Sequence, residues 1–261
     1  MMTALWVSKT GLSAQDTQLA TVSNNLANVS TIGFKRDRVN FEDLLYQIRR
    51  QPGAQSTESN QLPSGLQIGT GVRIVATQKE FTQGSLQVTD NTLDVAINGR
   101  GFLQVLMPDG TTSYTRNGQL HLNSDGELVN ADGLVIQPAI TVQQGTQSLT
   151  IGKDGTVSAV LPGSSVAQQI GQLTLTDFIN PGGLEASGGN LFRETTASGT
   201  PTEGTPGLDG LGILVQGSLE NANVSVVEEL VNMITTQRAY EMNAKVTSTC
   251  DQMLAYITQN L

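Results

Sequence analysis

Leu5-Trp6-Val7-Ser8-Lys9-Thr10-Gly11-Leu12-Ser13-Ala14-Gln15-Asp16-Thr17-Gln18-Leu19-Ala20-Thr21-Val22-Ser23-Asn24-Asn25-Leu26 is the stretch whose reading decides the fold. Leu5, Leu12, Leu19 and Leu26 recur every seven residues, with Val22 and Val29 three positions beyond Leu19 and Leu26. A seven-residue apolar step marks a helix packed along a seam. The far end of the chain repeats the step through Leu219, Val226, Met233, Tyr240, Thr247, Leu254 and Leu261, with Leu230 and Ile234 beside it. The spacing predicts one helix over residues 3–29 and a second over residues 223–259. Asn221 or Asn223 is the expected N-cap of the second, and Glu228-Glu229 suit the positive end of its dipole. Gly11 is a weak point in the first, at about 1 kcal/mol relative to Ala. Polar residues interrupt both seams (Ser8, Gln15, Gln237, Thr247, Asp251). A helix pair so interrupted is marginal alone, so its apolar surface is expected to be completed by other copies. Contacts of that kind, repeated without closure, build a helical filament.

Inward from the helices the pattern changes. Residues 41–46 form a short apolar-rich run of ambiguous type. Residues 49–65 are polar, punctuated by Pro52-Gly53 and Pro63-Ser64-Gly65, and read as a loop or extended arm. Residues 71–217 carry short alternating runs, as in 72–76, 93–97, 102–106, 134–137, 156–160 and 172–178. Asp109-Gly110, Asp125-Gly126, Asp132-Gly133, Asp154-Gly155 and Asn117-Gly118 fall between such runs as tight-turn signals. Residues 195–212 are again soft. The expected class is α+β. A discontinuous coiled-coil-like helical domain comes from both termini, with an extended arm and a central all-β domain, an antiparallel sandwich or irregular barrel. The expected segments are helix 1–32, arm 33–71, β domain 72–195, return arm 196–218 and helix 219–261.

Composition narrows function. The 261 residues carry a net charge of −9 with 4% aromatic content, so the core rests on aliphatic side chains. An acidic chain repels phosphate backbones and anionic lipid surfaces, which argues against nucleic acid and membrane partners. No run approaches the roughly 18 apolar residues of a membrane span, and the first residues lack the pattern of a secretory leader. Cys250 is the single cysteine and reads as a small buried residue of the second helix. His121, the single histidine, reads as a solvent-side strand residue.

The residues present no catalytic set, cofactor loop or metal site. One histidine leaves no nucleophile–base pair. Glu42-Asp43 and Glu228-Glu229 are adjacent carboxylates that do not converge. Zinc-ligand spacing is missing, and residues 123–127 read as a turn rather than a calcium loop. Gly99-Arg100-Gly101-Phe102 runs into an alternating segment, so it reads as a strand-to-strand turn rather than a phosphate loop. Lys35-Arg36-Asp37-Arg38 and Arg49-Arg50 read as solvated basic surface.

Four separated motifs, in order, resemble one family. Asn24-Asn25-Leu26-Ala27-Asn28-Val29-Ser30-Thr31 with Gly33-Phe34-Lys35 is similar to the signature shared by rod, hook and hook-associated proteins of the bacterial flagellum. Asp94 through Phe102 and Tyr114-Thr115-Arg116-Asn117-Gly118 resemble its β-domain motifs. Glu228 through Ile234, then Gln237-Arg238-Ala239-Tyr240-Glu241-Met242-Asn243-Ala244-Lys245, resemble its other terminal motif. A segment containing Gln51, Pro52, Gly53, Gln55, Leu62 and Pro63 is similar to an insert that separates a rod-type member from hook and proximal-rod relatives. In the family that insert accompanies a stiff, straight rod. Ile32 departs from the polar residue or proline common there.

The resemblance implies a non-enzymatic subunit of a hollow flagellar axial polymer in the basal body. Terminal helices would line its tube and β bodies its outside, and it would turn across the periplasm. Implied partners are further copies of itself, the proximal rod protein, the hook protein, the ring proteins acting as bushing, and the type III export apparatus. That apparatus would export the subunit without a cleaved signal. Seam positions are then Leu5, Leu12, Leu19, Val22, Leu26, Val29, Val226, Leu230, Met233, Ile234, Tyr240 and Leu254. The alternatives are a hook or proximal-rod subunit, or a cell-wall hydrolase using carboxylates such as Asp94, Asp109 and Asp125.

Overall fold

The computed structural model describes residues 2–53, 55–57, 60–61, 63–162 and 166–259. Leu62 of the insert and Leu261 of the C-terminal step lie outside the described residues. Two long helices bracket the chain: α1, Met2–Ala27, and α2, Val226–Gln259. At 1.5 Å per residue they measure about 39 and 51 Å.

Both helices begin or end inside the expected limits. α1 stops at Ala27 because Asn28, Val29 and Ser30 form a turn. Thr31 N–H donates to the Asn28 carbonyl (3.0 Å), and Gly33 follows at φ +70°. Val29 therefore leaves the helical seam. At the other end, Asn221 and Asn223 do not cap α2. Ser225 directly precedes it, and the Glu229 N–H donates to the Ser225 carbonyl (3.0 Å). Ser225-Val226-Val227-Glu228 has capping-box spacing. Leu219 also leaves the helical step, because Ser218–Glu220 is a strand paired with Leu86–Val88.

The chain divides into two compact units. The first comprises Met1–Leu26, Asp37–Gln78 and Ser225–Leu261, and the second Ala27–Arg36 and Lys79–Val224. In the first, Gly11 of α1 faces Asn243 of α2, where a Cβ would lie 3.1 Å from the Asn243 Nδ2. The weak helical position is thus a point of close approach. Residues 49–65, read as a loop or extended arm, belong to a paired ribbon that spans 37–79. Asp37–Asp43 pairs with Val72–Lys79, Tyr46–Arg50 with Leu66–Gly69, and Gln55–Thr57 with Asn60–Gln61. The three pairings nest, so the arm is one long antiparallel hairpin. Every residue of Tyr46–Arg50 is exposed. That outer stretch has no covered face and so no reason to alternate apolar with polar, which is why residues 49–65 read as loop or extended arm.

The second unit holds a five-stranded antiparallel sheet in the order Ile136–Gln137, Leu103–Leu106, Thr112–Thr115, Leu191–Arg193, Glu185–Gly188. Ser148–Ile151, Thr156–Val160 and Gln168–Gln172 form a second sheet, and shorter pairs join Val95–Asn98 to Ile213–Gln216 and Leu175–Asp177 to Thr202–Gly204. Among the described residues no sheet closes into a barrel. Val95, Ile97, Leu103, Val105, Leu128, Ile136, Val157 and Leu214 lie in the aliphatic core. Beside it Phe81, Phe102, Phe192, Phe178 and Tyr114 form a linked set of edge-to-face ring pairs, at centroid distances of 4.8–6.0 Å.

One turn recurs four times in this unit. Gly110, Gly126, Gly133 and Gly155 sit at φ +79° to +82°. Each glycine N–H donates to the carbonyl three residues back, and that residue's own N–H closes the loop onto the residue after the glycine. Only the glycine is left-handed; the preceding aspartate is not. This is the three-residue hairpin with a glycine bulge rather than a two-residue turn. Asn117-Gly118 differs. Gly118 lacks positive φ, and a Cβ there would run into the Val95 carbonyl. It is glycine because the Val95 N–H approaches its carbonyl at 2.9 Å.

Candidate assembly surfaces and a buried charge cluster

Lys35, read from sequence as solvated surface, is fully buried. Its Nζ donates to Glu220 Oε1 (2.7 Å) and to the Thr82 carbonyl (2.7 Å). Arg116 Nε donates to the other carboxylate oxygen at 2.9 Å, and the Gly84 N–H reaches Oε1 at 3.0 Å. The remaining Arg116 donors meet the carbonyls of Gly101, Ile97 and Gly99. Two cations thus share one carboxylate away from water, and backbone carbonyls accept from the other Arg116 nitrogens and from the Lys35 ammonium. Burial pushes the Lys35 ammonium below the usual lysine range. Arg116 adds to that, and Glu220 pulls against it.

A second ring of bonds lies next to this cluster. Arg36 pairs with Glu80 (2.9 Å), and the Arg36 N–H donates to Asn223 Oδ1 (2.8 Å). The Glu80 N–H donates to the Arg36 carbonyl (2.9 Å), and Asn223 Nδ2 donates to the Glu80 carbonyl (2.7 Å). Arg36 and Lys79 bound the unit's two segments and Asn223 lies one residue from its end, so the places where the chain enters and leaves are tied together.

The signature residues form the framework of these ties. Asn25 is buried, and its side chain mimics a strand partner: Nδ2 donates to the Asp37 carbonyl and Oδ1 accepts the Asp37 N–H, both at 2.9 Å. Asn24 Nδ2 reaches Asp37 Oδ2 at 3.4 Å, and Asn28 Oδ1 accepts from the Thr31 hydroxyl. Gly33 donates its N–H to the Glu220 carbonyl (2.8 Å), where a Cβ would meet Asn117 and Arg116 backbone. Phe34 is buried beneath the Lys79 ammonium. Leu26 is half-buried and Ala27 exposed, each ending its side of the unit boundary. Asn243 meets Gly11, whereas Gln237, Arg238 and Tyr240 are exposed on α2.

The seam residues divide. Val22 is buried; Leu5, Leu12, Leu19 and Met233 are half-buried; Val226, Leu230, Ile234 and Leu254 are exposed. α2 also exposes residues the seven-residue step did not mark: Val227 at 72%, Met242 at 70% and Tyr256 at 71%. Of the insert, Gln51, Pro52, Gly53 and Pro63 are exposed, Gly53 turns at φ +78°, and Gln55 lies in Gln55–Thr57.

The carboxylates considered for hydrolysis are each engaged in their own turn. Asp94 accepts from Thr89 and Asn91, Asp109 from Thr111, and Asp125 sits in the Asn123–Gly126 turn. Among the described residues no group of three or more His, Cys, Asp or Glu is placed to hold a metal, and no helix is long and apolar enough to cross a membrane.

Profiles of three families match the chain in order. They are the flagella basal body rod protein over residues 5–35, the flagellar hook protein FlgE/F/G D1 domain over 96–159, and the flagellar basal body rod FlgEFG protein C-terminal region over 215–260. The chain belongs to this family of flagellar basal-body rod proteins, which is structural rather than an enzyme class. Its full-length similarity is to the distal-rod member. It is 53% identical to the flagellar basal-body rod protein FlgG of Buchnera aphidicola subsp. Schizaphis graminum, over 99% of this chain and 100% of that one. It is 46% identical to the FlgG of Caulobacter vibrioides (99% and 99%) and 36% to that of Bacillus subtilis (97% and 97%). It is a structural subunit of the flagellar distal rod, in the basal body across the periplasm, and assembles with other rod, hook and basal-body components.

Proposed function

We propose that the chain builds a hollow helical tube by packing α1 and α2 against the same helices of neighbouring copies, with residues 33–71 as the stiffening arm and the β body outside. The exposed apolar run on α2 carries this reading. Val227, Leu230, Val231, Ile234, Met242 and Ile257 are 41–72% exposed on the isolated chain. A patch of that extent marks a protein interface. Leu5, Leu12, Leu19, Val22, Leu26, Val226, Leu230, Met233, Ile234, Tyr240 and Leu254 supply the inter-subunit seam, and Gln51 to Pro63 the rod-specific contact. The tube turns inside the ring proteins, joins the proximal rod protein to the hook protein, and passes substrates of the type III export apparatus through its lumen.

Leu230→Asp tests this. It is expected to abolish sedimentable polymer, because a charge placed in a desolvated interface costs several kcal/mol. The soluble variant should keep the wild-type unfolding transition of the β unit. Straight polymers at wild-type yield would overturn the seam.

A further inference from the structure

The second unit has a cleft of about 370 Å³ that the core and the charge cluster leave unused. Phe178, Ile179 and Leu211 supply its apolar lining, and Ile179 is 85% exposed. Its acidic side is Asp177, Glu203 and Asp209. Arg100 neutralises only Asp177, at 3.0 Å, so Glu203 and Asp209 leave two carboxylates on the rim. Glu203 lies on Thr202–Gly204, whose one strand neighbour among the described residues is Leu175–Asp177. The cleft is therefore apolar, doubly negative, and bordered by an open strand edge.

The arm hairpin carries the complementary set. Tyr46–Arg50 is exposed throughout and ends in Arg49-Arg50, with Leu66 of its partner strand also exposed. A bare two-stranded ribbon is marginal in water and is stabilised when a third strand or an apolar surface covers it. Two arginines beside Ile48 and Leu66 match two carboxylates beside Ile179 and Leu211. The outer edge of a ribbon can also extend an open strand edge through main-chain hydrogen bonds.

We infer that the arm hairpin of one copy docks in the Asp177–Glu203–Asp209 cleft of a second copy, with Arg49 and Arg50 paired to Glu203 and Asp209. This rests on the homopolymer reading above. It adds the surface that receives the arm, and it gives the polymer an electrostatic contact separate from the helical seam. Opposite rim charges act mainly on encounter rate and specificity, and their effect is screened by salt.

The test is a charge swap in full-length protein, read as polymer yield by sedimentation at low salt. Arg49→Glu with Arg50→Glu should lower the yield by about tenfold or more, and Glu203→Arg with Asp209→Asn should do the same. All four positions are exposed, so near-ultraviolet circular dichroism of the unassembled variants should match the wild type. The combined variant should recover to within about threefold of wild type. Oxidation of polymer carrying Arg50→Cys, Glu203→Cys and Cys250→Ser should give a ladder of disulfide-linked oligomers, which makes the contact testable without charge reversal. Reversals that leave the yield unchanged, a combined variant no better than either half, or an absence of linked oligomers would each overturn the docking while leaving the seam intact. Wild-type protein that never polymerises would overturn the homopolymer reading, and the docking with it.

Discussion

The second unit and the first solve opposite problems with the same twenty side chains. Around Glu220 both carboxylate oxygens, the Lys35 ammonium and the Arg116 guanidinium all find partners inside one chain, even though three charges are buried. Along α2 and the arm, large apolar side chains keep much of their surface in water. A self-sufficient body and an incomplete one share a chain because a polymer subunit needs both. The body must hold its shape before assembly. The helices and arm must not complete themselves, or nothing would drive them to a neighbour. The contrast teaches where a mutation should be felt: in the monomer for the β unit, in the polymer for the helical unit.

Glu220→Ala is expected to give the largest effect and could break the contrast. Removing the carboxylate leaves Lys35 and Arg116 buried and unpaired, at a cost of about 3–5 kcal/mol. Urea unfolding of the monomer should show that loss, whereas Leu230→Asp should leave the same transition in place. A Glu220→Ala monomer as stable as wild type would mean that the cluster is wet and the β unit less complete than its geometry indicates.

A smaller effect comes from Lys35. Its folded-state affinity for a proton lies below the ordinary lysine value, so the unfolded chain holds the proton more tightly. Between the two values the unfolded state binds more protons, and stability rises with pH through that alkaline window. Below it the penalty is present in full. Lys35→Met should remove this alkaline slope from the pH dependence of unfolding. A wild-type slope of the opposite sign would contradict the burial.

The smallest effect sharpens the contrast at its edge. Thr111 and Thr156 hydrogen bonds hold the Asp109 and Asp154 carboxyls below the usual carboxylate range. Their contribution is present above the unfolded value and is lost as pH falls through the folded one. Asp154→Asn should flatten that part of the acid limb slightly and leave polymer yield unchanged. A loss of polymer would mean that this turn belongs to an interface.

The two ends and the middle were not equally legible. Leu5, Leu12 and Leu19 announced α1 because a helix returns the same face every seven residues. Asp-Gly pairs announced the turns because only glycine enters the left-handed region cheaply, although the turns hold three residues rather than two. The outer part of the hairpin, within residues 49–65, stayed hidden because an exposed ribbon imposes no pattern, whereas 72–76, at its base, alternated. Leu219 kept the helical step by coincidence and sits in a strand. Lys35 looked solvated because its partner is 185 residues away, and spacing carries no information at that distance.

By itself the sequence determined the two terminal helices, the turn glycines, and the family through its four motifs, because these depend on local backbone preference and short-range periodicity. Tertiary structure alone decided that Lys35, Arg116 and Glu220 are buried together, that Asn25 stands in for a strand partner, and that the apolar run on α2 is left uncovered. Those outcomes depend on which distant segments exclude water from one another, a property of the folded chain that no window of residues contains.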